Sequence, residues 1–277
     1  HGLQDSETDM DYAFLCDQGA NVGNKYAVMF TNVNGSDSNE GVAMDYTRIY
    51  SGYIGLRLSG CQNNTFSAVN TSFNTSHGIY AHSSSNSNTI TSNLSSGNIS
   101  YGIYVDNSTY VNISSNIYTA NGVYGMILGN FHRGSVTSNY SKGNANYGLF
   151  LNTSNRNTIS SNILSDNISA GLWFNSNSNN NIAYSNTING NNNYGIDITT
   201  SSNNILASNT ASENTQFGIR INGSSNNKLF GNTADNNTQT GLYINGGNGS
   251  TNNIVINDDY GTSTANGQED VELNDST

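Results

Sequence analysis

The sequence predicts an all-β protein whose short parallel strands stack as a single-stranded parallel β-helix, or β-solenoid. Three observations predict this fold: glycines that recur about every 23 residues, apolar residues that alternate with period two, and columns of asparagine. The length of 277 residues suits one large domain of this kind.

Glycines open nine successive units of nearly constant length. The steps between consecutive glycines are 23 or 24 residues, and each unit reads approximately G-[IL]-x-[ILV]-x-x-S-x-x-N-x-[IL]-x-x-N-x-x-x-x-N. A fixed period in this range is the signature of a repeat architecture. The glycines are Gly55, Gly78, Gly102, Gly125, Gly148, Gly171, Gly195, Gly218 and Gly241.

Each unit begins with an alternating strand. The first and third residues after the glycine are apolar, as in Ile79 and Ala81, and alternation places both on one face. A second short strand carries an apolar residue such as Ile90. One unit cannot bury this face alone, whereas units stacked at about 4.8 Å form a continuous core. Nine rungs at that spacing give a rod roughly 40 Å long.

Asparagine accounts for 53 of the 277 residues and falls into columns. We expect these columns to mark the corners of the solenoid, because Asn tolerates left-handed backbone angles and its amides hydrogen-bond along a stack. Sequons inside a column, as at Asn93 and Asn139, would then be poor glycosylation sites. The columns are Asn70, Asn93, Asn116, Asn139, Asn162, Asn186, Asn209 and Asn232, and Asn74, Asn98, Asn121, Asn144, Asn167, Asn191, Asn214 and Asn237.

Composition excludes some classes of partner. The net charge is −11 and no basic stripe exists, so we expect no nucleic-acid partner. No apolar run approaches the roughly 18 residues of a transmembrane helix. The first residue, His1, fits a removed leader or a trimmed chain. Cys16 and Cys61 could form a disulfide or remain two inert thiols.

The stretch SSNNILASNTASENTQFGIRINGSSNNKLFGNTADNN, residues 201–237, resembles the repeats of a known family. It is similar to the right-handed parallel β-helix repeats of NosD-like and related carbohydrate-binding and sugar-hydrolase-associated proteins. The resemblance covers about residues 41–257 and implies a right-handed solenoid. In that superfamily it also implies surface proteins, polysaccharide lyases, epimerases, hydrolases and metal-related periplasmic proteins, because one fold carries many activities.

The two ends depart from the repeat. We expect an N-terminal arm or cap over residues 1–24, a solenoid over 25–257 and a C-terminal acidic tail over 258–277. Within the solenoid, we expect irregular rungs over residues 25–54 and regular rungs over residues 55–257. Caps are expected because a stacked rod exposes unpaired strand edges at both ends.

The residue two after each glycine should point outward and form a stripe. Aromatic residues just before several glycines, such as Tyr101 and Tyr147, would widen it. A large exposed apolar stripe indicates an interface, so copies of this chain or a glycan could bind here. Local packing at a corner is a third interpretation. The stripe contains Arg57, Tyr80, Tyr104, Phe150, Trp173, Asp197, Arg220 and Tyr243.

One polar cluster is a candidate for chemistry. His82 and Asp106 share a column on adjacent rungs, with Tyr104 beside them. A lyase or epimerase needs a base, a cation that neutralises a uronate carboxylate and often Ca²⁺. His82, Tyr104 and Arg133 could fill these roles, although a surface His–Asp pair without a catalytic role is the favoured interpretation.

Paired aspartates are the only candidates for a metal site. Asp258 and Asp259, or Asp9 and Asp11, could bind Ca²⁺, but neither pair has a specific loop pattern. We expect no other cofactor.

The leading functional hypothesis is therefore structural. We expect an extracellular structural or adhesive glycoprotein that assembles with copies of itself into a cell-surface layer, sheath or filament, with surface glycans as further partners. The alternatives are an enzyme acting on acidic polysaccharides, as a lyase or an epimerase, and a non-catalytic glycan-binding module. An active site should break the repeat, and few positions break it.

Overall fold

The computed structural model describes residues 8–11, 14–16, 26–35, 42–261 and 264–274, with side chains for 27–35, 44–261 and 264–274. The side chains of Asp9, Asp11 and Cys16, which entered the predictions of a Ca²⁺ site and a disulfide, lie outside this description. Cys61 is a buried free thiol. Burial raises the pKa of this thiol, which keeps it protonated and unreactive.

The fold is a right-handed β-solenoid built from three parallel sheets, so the predicted fold class is confirmed. Each described rung contributes one strand to sheets 1 and 3, and the first seven rungs also contribute one to sheet 2. We number the sheets in the order in which a rung enters them. Sheet 1 contains the strands Thr8–Asp11, Val42–Asp45, Thr65–Ser67, Thr89–Thr91, Asn112–Ser114, Ser135–Thr137, Thr158–Ser160, Ile182–Tyr184, Ile205–Ala207, Lys228–Phe230 and Ile254–Ile256.

Sheets 2 and 3 form the other two sides of the solenoid. Beyond its last strand, sheet 2 continues as isolated β-bridges between successive rungs, from Ile163 through Thr187 to Asp259. Sheet 2 contains Phe14–Cys16, Arg48–Tyr50, Asn70–Ser72, Leu94–Ser96, Ile117–Thr119, Tyr140–Lys142 and Ile163–Ser165. Sheet 3 contains Tyr26–Thr31, Ile54–Ser59, Ile79–His82, Ile103–Thr109, Met126–His132, Leu149–Asn152, Leu172–Asn175, Ile196–Thr199, Ile219–Asn222, Leu242–Asn245 and Val271–Asn274, and a single 3₁₀ turn spans Gly246–Asn248.

Equivalent residues of successive repeats lie directly above one another, because neighbouring strands pair with an offset of one full repeat. Ile103 pairs with Ile79 on one side and with Met126 on the other, and all three are fully buried. The two inward columns predicted after the glycines are therefore confirmed. Fully burying each such side chain contributes about 1.5–3 kcal/mol, and the stack makes one core that runs through the rod.

The predicted column of the second strand is wrong on the two rungs after Ile159, because Ala183 and Leu206 point inward where Ile182 and Ile205 were expected.

Buried asparagine ladders line the corners, as the repeat predicts. The Oδ1 atom of Asn162 accepts the backbone N–H and the Nδ2 group of Asn139 at 2.9 and 3.0 Å. Its own Nδ2 donates to the carbonyl oxygen of Val136 and to Oδ1 of Asn186, both at 2.9 Å. This amide thus joins three successive rungs and pairs the backbone N–H of Asn139 and the carbonyl of Val136.

The structure shows three ladders where the sequence columns predicted two. Asn70 does not belong to the first ladder, because Val69 occupies that position and Asn70 donates instead to the Tyr50 hydroxyl. The first ladder is Asn93, Asn116, Asn139, Asn162, Asn186, Asn209 and Asn232; the second is Asn74, Asn98, Asn121, Asn144, Asn167, Asn191, Asn214 and Asn237; the third is Asn64 and Asn88, then Asn157, Asn181, Asn204, Asn227 and Asn253.

The ladder asparagines do not themselves adopt left-handed backbone angles, so that part of the prediction is wrong. The residue before each of them does, as in Ser138 (φ 55°) before Asn139 and Ser161 (φ 55°) before Asn162. The left-handed residue turns the chain, and the next side chain then points into the rod, where its amide bonds the neighbouring rungs.

Parallel pairing extends past both ends of the predicted solenoid. Thr8–Asp11 pairs with Val42–Asp45, inside the segment expected to be an arm. Val271–Asn274 pairs with Leu242–Asn245, inside the segment expected to be an acidic tail. Capping by these segments stays a prediction.

We expect Asn162→Ala to lower the free energy of unfolding by about 3 kcal/mol, because it leaves the N–H of Asn139 and the carbonyl of Val136 buried without partners. Urea unfolding followed by circular dichroism measures this change. Asn192, an exposed asparagine, supplies the control: Asn192→Ala should change stability by less than about 0.5 kcal/mol. Equal effects of the two substitutions would contradict the role of the ladder.

Candidate functional site

The outer surface of sheet 3 carries two adjoining columns of aromatic rings, which we call the aromatic face. Rings of neighbouring rungs stack nearly parallel: Tyr101 lies on Tyr124 with centroids 5.2 Å apart, and Phe217 on Tyr243 at 4.6 Å. The face comprises His77, Tyr101, Tyr124, Tyr147, Tyr194 and Phe217 in one column and Arg57, Tyr80, Tyr104, Ile127, Phe150, Trp173, Asp197, Arg220 and Tyr243 in the other.

The stacked rings cover each other's faces and present their edges to solvent. Tyr101 and Tyr124 are inclined by 3°, and each leaves only part of its ring exposed. Stacked pairs of this kind contribute about 0.5–1.5 kcal/mol each beyond area burial. Much of each ring face is therefore buried against the next ring. The surface that remains for a ligand consists mainly of ring edges and phenolic hydroxyls.

Two residues predicted to lie on the stripe are in fact buried. Phe150 is 9% exposed because it packs between Tyr147 and Trp173. Asp197 is 4% exposed, where burial raises the pKa of its carboxyl to about 6 despite an ion pair with Arg220 at 3.2 Å. Asp197 therefore serves to hold Arg220, whose guanidinium lies 4.8 Å from the ring centre of Tyr194.

Gly129 lies beside the aromatic face, between Asp106 and Asn152 of the neighbouring strands. A Cβ at this position would lie 2.9 Å from Oδ1 of Asp106 and 3.6 Å from the hydroxyl of Tyr104. The carboxylate and the phenol therefore already occupy the space over the glycine. We call the cluster of His82, Tyr104, Asp106 and Gly129 the notch.

The phenol of Tyr104 is a proton donor at neutral pH. Burial, with the Asp106 carboxylate as a second cause, raises the pKa of Tyr104 to about 12. The ring stacks on Tyr80 at 5.0 Å, which fixes its direction. Its strand, Ile103–Thr109, has seven residues and pairs with the seven-residue strand Met126–His132 that carries Gly129.

His82 borders the notch as a neutral imidazole. Its ring stacks on Tyr80 with centroids 4.4 Å apart. Burial and the nearby Arg57 guanidinium lower the pKa of His82, and Asp106 opposes this only in part. Nδ1 lies 2.7 Å from the hydroxyl of Ser83, whereas Nε2 is buried without a hydrogen-bond partner among the described residues. Nε2 is therefore not engaged by a protein donor or acceptor among these residues, which leaves it available to exchange a proton.

His77 extends this cluster beyond what the sequence predicted. It stacks on Tyr101 at 4.6 Å and meets Tyr104 edge-on at 6.0 Å. Burial lowers the pKa of His77 to about 4, so the ring is neutral at physiological pH. One feature of the sequence could have identified His77: it immediately precedes a repeat glycine, a position that is most often tyrosine in the other units.

The structure brings together some of the predicted site residues and separates others. His82, Tyr104 and Asp106 lie in one place, but the described residues contain no His82–Asp106 ion pair within 4.0 Å. Arg133 lies elsewhere, with its Nη1 donating to the Tyr110 hydroxyl at 3.0 Å. Arg57 is the cation near His82. Gly129, a glycine outside the nine of the repeat, was the break in pattern that sequence reasoning missed.

Arg133 instead lines a separate pocket of about 500 Å³ at the corner between sheets 3 and 1. We call it the corner pocket. It is lined by Thr109, His132, Arg133, Asn155, Arg156, Asn179 and Asn180.

The aspartates predicted to bind Ca²⁺ include one with a structural role. Asp258 occupies the last position of the first ladder, where its Oδ1 accepts the N–H and Nδ2 of Asn232. Asp259 forms a backbone bridge with Thr233. Among the residues with described side chains, no group of three or more His, Cys, Asp or Glu is placed to hold a metal ion.

Together, the rungs and ladders define a right-handed β-helix repeat protein. Two family models match the chain: one described as the right-handed β-helix region over residues 127–277, and one described as the periplasmic copper-binding protein NosD over residues 17–170. The chain therefore belongs to this β-helix family, as its resemblance predicted. The described His, Cys, Asp and Glu side chains do not form a copper site.

Several solved structures share the fold at low sequence identity. The periplasmic alginate epimerase AlgG is 16% identical with a TM-score of 0.64, over 83% of this chain and 67% of that one. The A-module of the Azotobacter vinelandii mannuronan C-5 epimerase AlgE4 is 14% identical with a TM-score of 0.66, over 98% and 79%. The Dettilon tailspike protein is 18% identical with a TM-score of 0.58, over 89% and 61%.

A comparison with curated proteins found no match. Within the described part of the chain, no helix is long and apolar enough to span a membrane.

We expect the buried carboxyl of Asp197 to make stability depend on pH. Its pKa is about 6 in the folded state against 3.8 for the free group, so the folded state binds the extra proton between these values. Stability should therefore fall as pH rises from about 4 to about 6, by on the order of 2 kcal/mol. Urea unfolding at several pH values should show this slope in the wild type and lose it in Asp197→Asn; the same slope in both would contradict the assignment.

Proposed function

We propose that the chain binds a polysaccharide along the aromatic face and transfers a proton on an acidic sugar at the notch. The observation that supports this most directly is the juxtaposition of His82 Nε2, the Tyr104 hydroxyl and the Asp106 carboxylate around Gly129.

The protonation states of His82 and Tyr104 indicate which of them is the base and which is the acid. His82 is neutral and its Nε2 is unpaired, so it is the base that removes the proton from the sugar carbon next to the carboxylate. Tyr104 keeps its proton and is the acid. Arg57, the cation beside His82, offsets the charge that develops on the sugar carboxylate.

Two reactions follow from one first step. The sugar C–H bond breaks, its proton goes to His82 Nε2, and the electron pair is delocalised into the carboxylate. If Tyr104 then protonates the same carbon from the opposite face, the product is an epimer. If the electron pair instead expels the glycosidic oxygen and Tyr104 protonates that oxygen, the product is an unsaturated sugar, as in a lyase.

The comparisons support a carbohydrate ligand. AlgG and the AlgE4 module act, by their descriptions, on alginate or mannuronan, which are polymers of acidic sugars. The match to a family described as periplasmic supports a location outside the cytoplasm, either periplasmic or extracellular. A cell-surface position, a removed leader and glycosylation are parts of this proposal; Asn107 and Asn248 are sequons with exposed side chains, whereas Asn93 and Asn139 are buried.

We expect purified protein to convert a uronic-acid polymer, and Tyr104→Phe to reduce the rate at least about 100-fold because the proton donor is lost. Proton NMR of alginate reports epimerisation, and ultraviolet absorbance of the unsaturated product reports elimination. His82→Ala should have a similar effect by removing the base.

The matched control is Tyr140→Phe, which removes a phenol on sheet 2, away from the aromatic face. It should leave the rate unchanged. If the wild type binds the polymer without turnover, and Trp173→Ala abolishes that binding, the chain is a passive glycan-binding module and the catalytic proposal is wrong.

Self-assembly is a second candidate, favoured by the exposed end of the rod. All three residues of Ile254–Ile256 are exposed, and Leu273 in the last strand of sheet 3 is 64% exposed. An inward-facing Val255 is exposed because no described rung stacks on it. Apolar strand edges of this kind can pair with another copy.

If copies stack end to end, light scattering should show particles that grow with protein concentration. Leu273→Lys should shift the distribution toward monomer, because a charge would be buried in the junction. A monomer at every concentration in the wild type would exclude this mode of assembly.

A further inference from the structure

The corner pocket combines positive charge with a lack of acidic neighbours. Arg133 and Arg156 lie on adjacent rungs, one strand spacing of about 4.8 Å apart, and both are exposed. No carboxylate lines the pocket. Two of the eight Lys and Arg residues in a chain of net charge −11 thus lie in one place.

These arginines are not engaged in ion pairs. Lys142 and Arg220 bind Asp166 and Asp197 at 2.9 and 3.2 Å. Among the described residues, neither Arg133 nor Arg156 has a carboxylate within 4.0 Å. Arg133 contacts only the Tyr110 phenol, through a hydrogen bond and its ring. Their charge therefore remains available to a ligand.

Both arginines lie at a corner turn of the solenoid, which directs their side chains outward. They occupy the left-handed column before the third ladder, with φ of 56° at Arg133 and 62° at Arg156. Asparagine, which tolerates this conformation, fills the column at five other rungs, as at Asn180 and Asn203. The two arginines thus place positive charge where these five rungs have a neutral amide.

His132 adds a neutral donor to the pocket. Its Nδ1 accepts the backbone N–H of Asn155 at 3.1 Å, which places the ring proton on Nε2. Burial and the two arginines lower the pKa of His132, so the ring stays neutral. With Thr109 and Asn179 on the wall, the pocket offers mainly hydrogen-bond donors and positive charge, which suit an oxyanion.

The pocket is continuous with the strands that form the notch. Thr109 follows Asp106 by three residues on the strand Ile103–Thr109, and His132 follows Gly129 by three on Met126–His132. Three strand residues span about 10 Å. A glycan with one sugar in the notch can therefore place another sugar, further along the chain, in the pocket.

We propose that the corner pocket is an oxyanion-binding subsite, which holds the carboxylate of a uronic-acid residue while a different residue of the same glycan occupies the notch. The guanidinium groups of Arg133 and Arg156 bind the carboxylate, and Nε2–H of His132 donates to it. The subsite rests on the proposed function for its substrate class. It explains how an acidic protein holds an acidic polymer.

The test is calorimetric titration with an alginate oligosaccharide, with its carboxyl-reduced counterpart, and with sodium sulfate. The double variant Arg133→Gln/Arg156→Gln should raise Kd for the acidic oligosaccharide about tenfold or more. The carboxyl-reduced sugar should bind wild type and variant equally. Arg133→Lys/Arg156→Lys should restore part of the affinity, and Lys228→Gln, an exposed cation on sheet 1, should change nothing.

The outcomes separate the two proposals. If the double variant binds the acidic oligosaccharide like the wild type while Tyr104→Phe still abolishes turnover, the subsite is wrong and the catalytic proposal stands. If turnover is absent but the arginine variants lose binding, the subsite stands and catalysis fails. If sulfate binds to the pocket as tightly as the oligosaccharide does, the site is for a small free oxyanion, and the glycan assignment is overturned.

Discussion

The fold depends on one constraint: every rung must lie in register on the next. Along the ladders, the amide of a buried asparagine accepts from the rung before it and donates to the rung after it, as Asn162 does between Asn139 and Asn186. A slip of one residue would turn this amide toward solvent and the apolar columns away from the core. Because the amides also pair buried backbone groups, the ladders help to fix the register of the rungs.

The same stacking creates the aromatic face on which the proposed function depends. Register aligns the residues before and after each glycine, so rings that are 23 or 24 residues apart become neighbours about 5 Å apart. In a regular stack the rings and amides bind one another, and the two sites that we propose lie where this regularity breaks. Gly129 breaks it at the notch, and arginines in an asparagine column break it at the corner pocket.

Electrostatics limits what these two places can do. The aromatic face buries its ionisable groups enough to keep His77 and His82 neutral and Tyr104 protonated. Only Asp106 supplies a carboxylate at the notch, and the nearest positive charge acting on His82 is Arg57. The acidic sugar that we propose as substrate would therefore meet neutral donors and acceptors, the cation of Arg57 and one carboxylate, Asp106.

The sequence by itself determined the rungs, the two inward columns after the glycines and two of the ladders, because stacking repeats aligns equivalent residues of successive rungs. It also placed His82, Tyr104 and Asp106 on neighbouring rungs. Tertiary structure decided the rest: that Phe150 and Asp197 turn inward, that Arg133 belongs with Arg156 and not with His82, and that Asp106 and Tyr104 lie over Gly129. Side-chain direction at corners and the space left by an absent side chain depend on neighbours from other rungs, which a one-dimensional pattern does not contain.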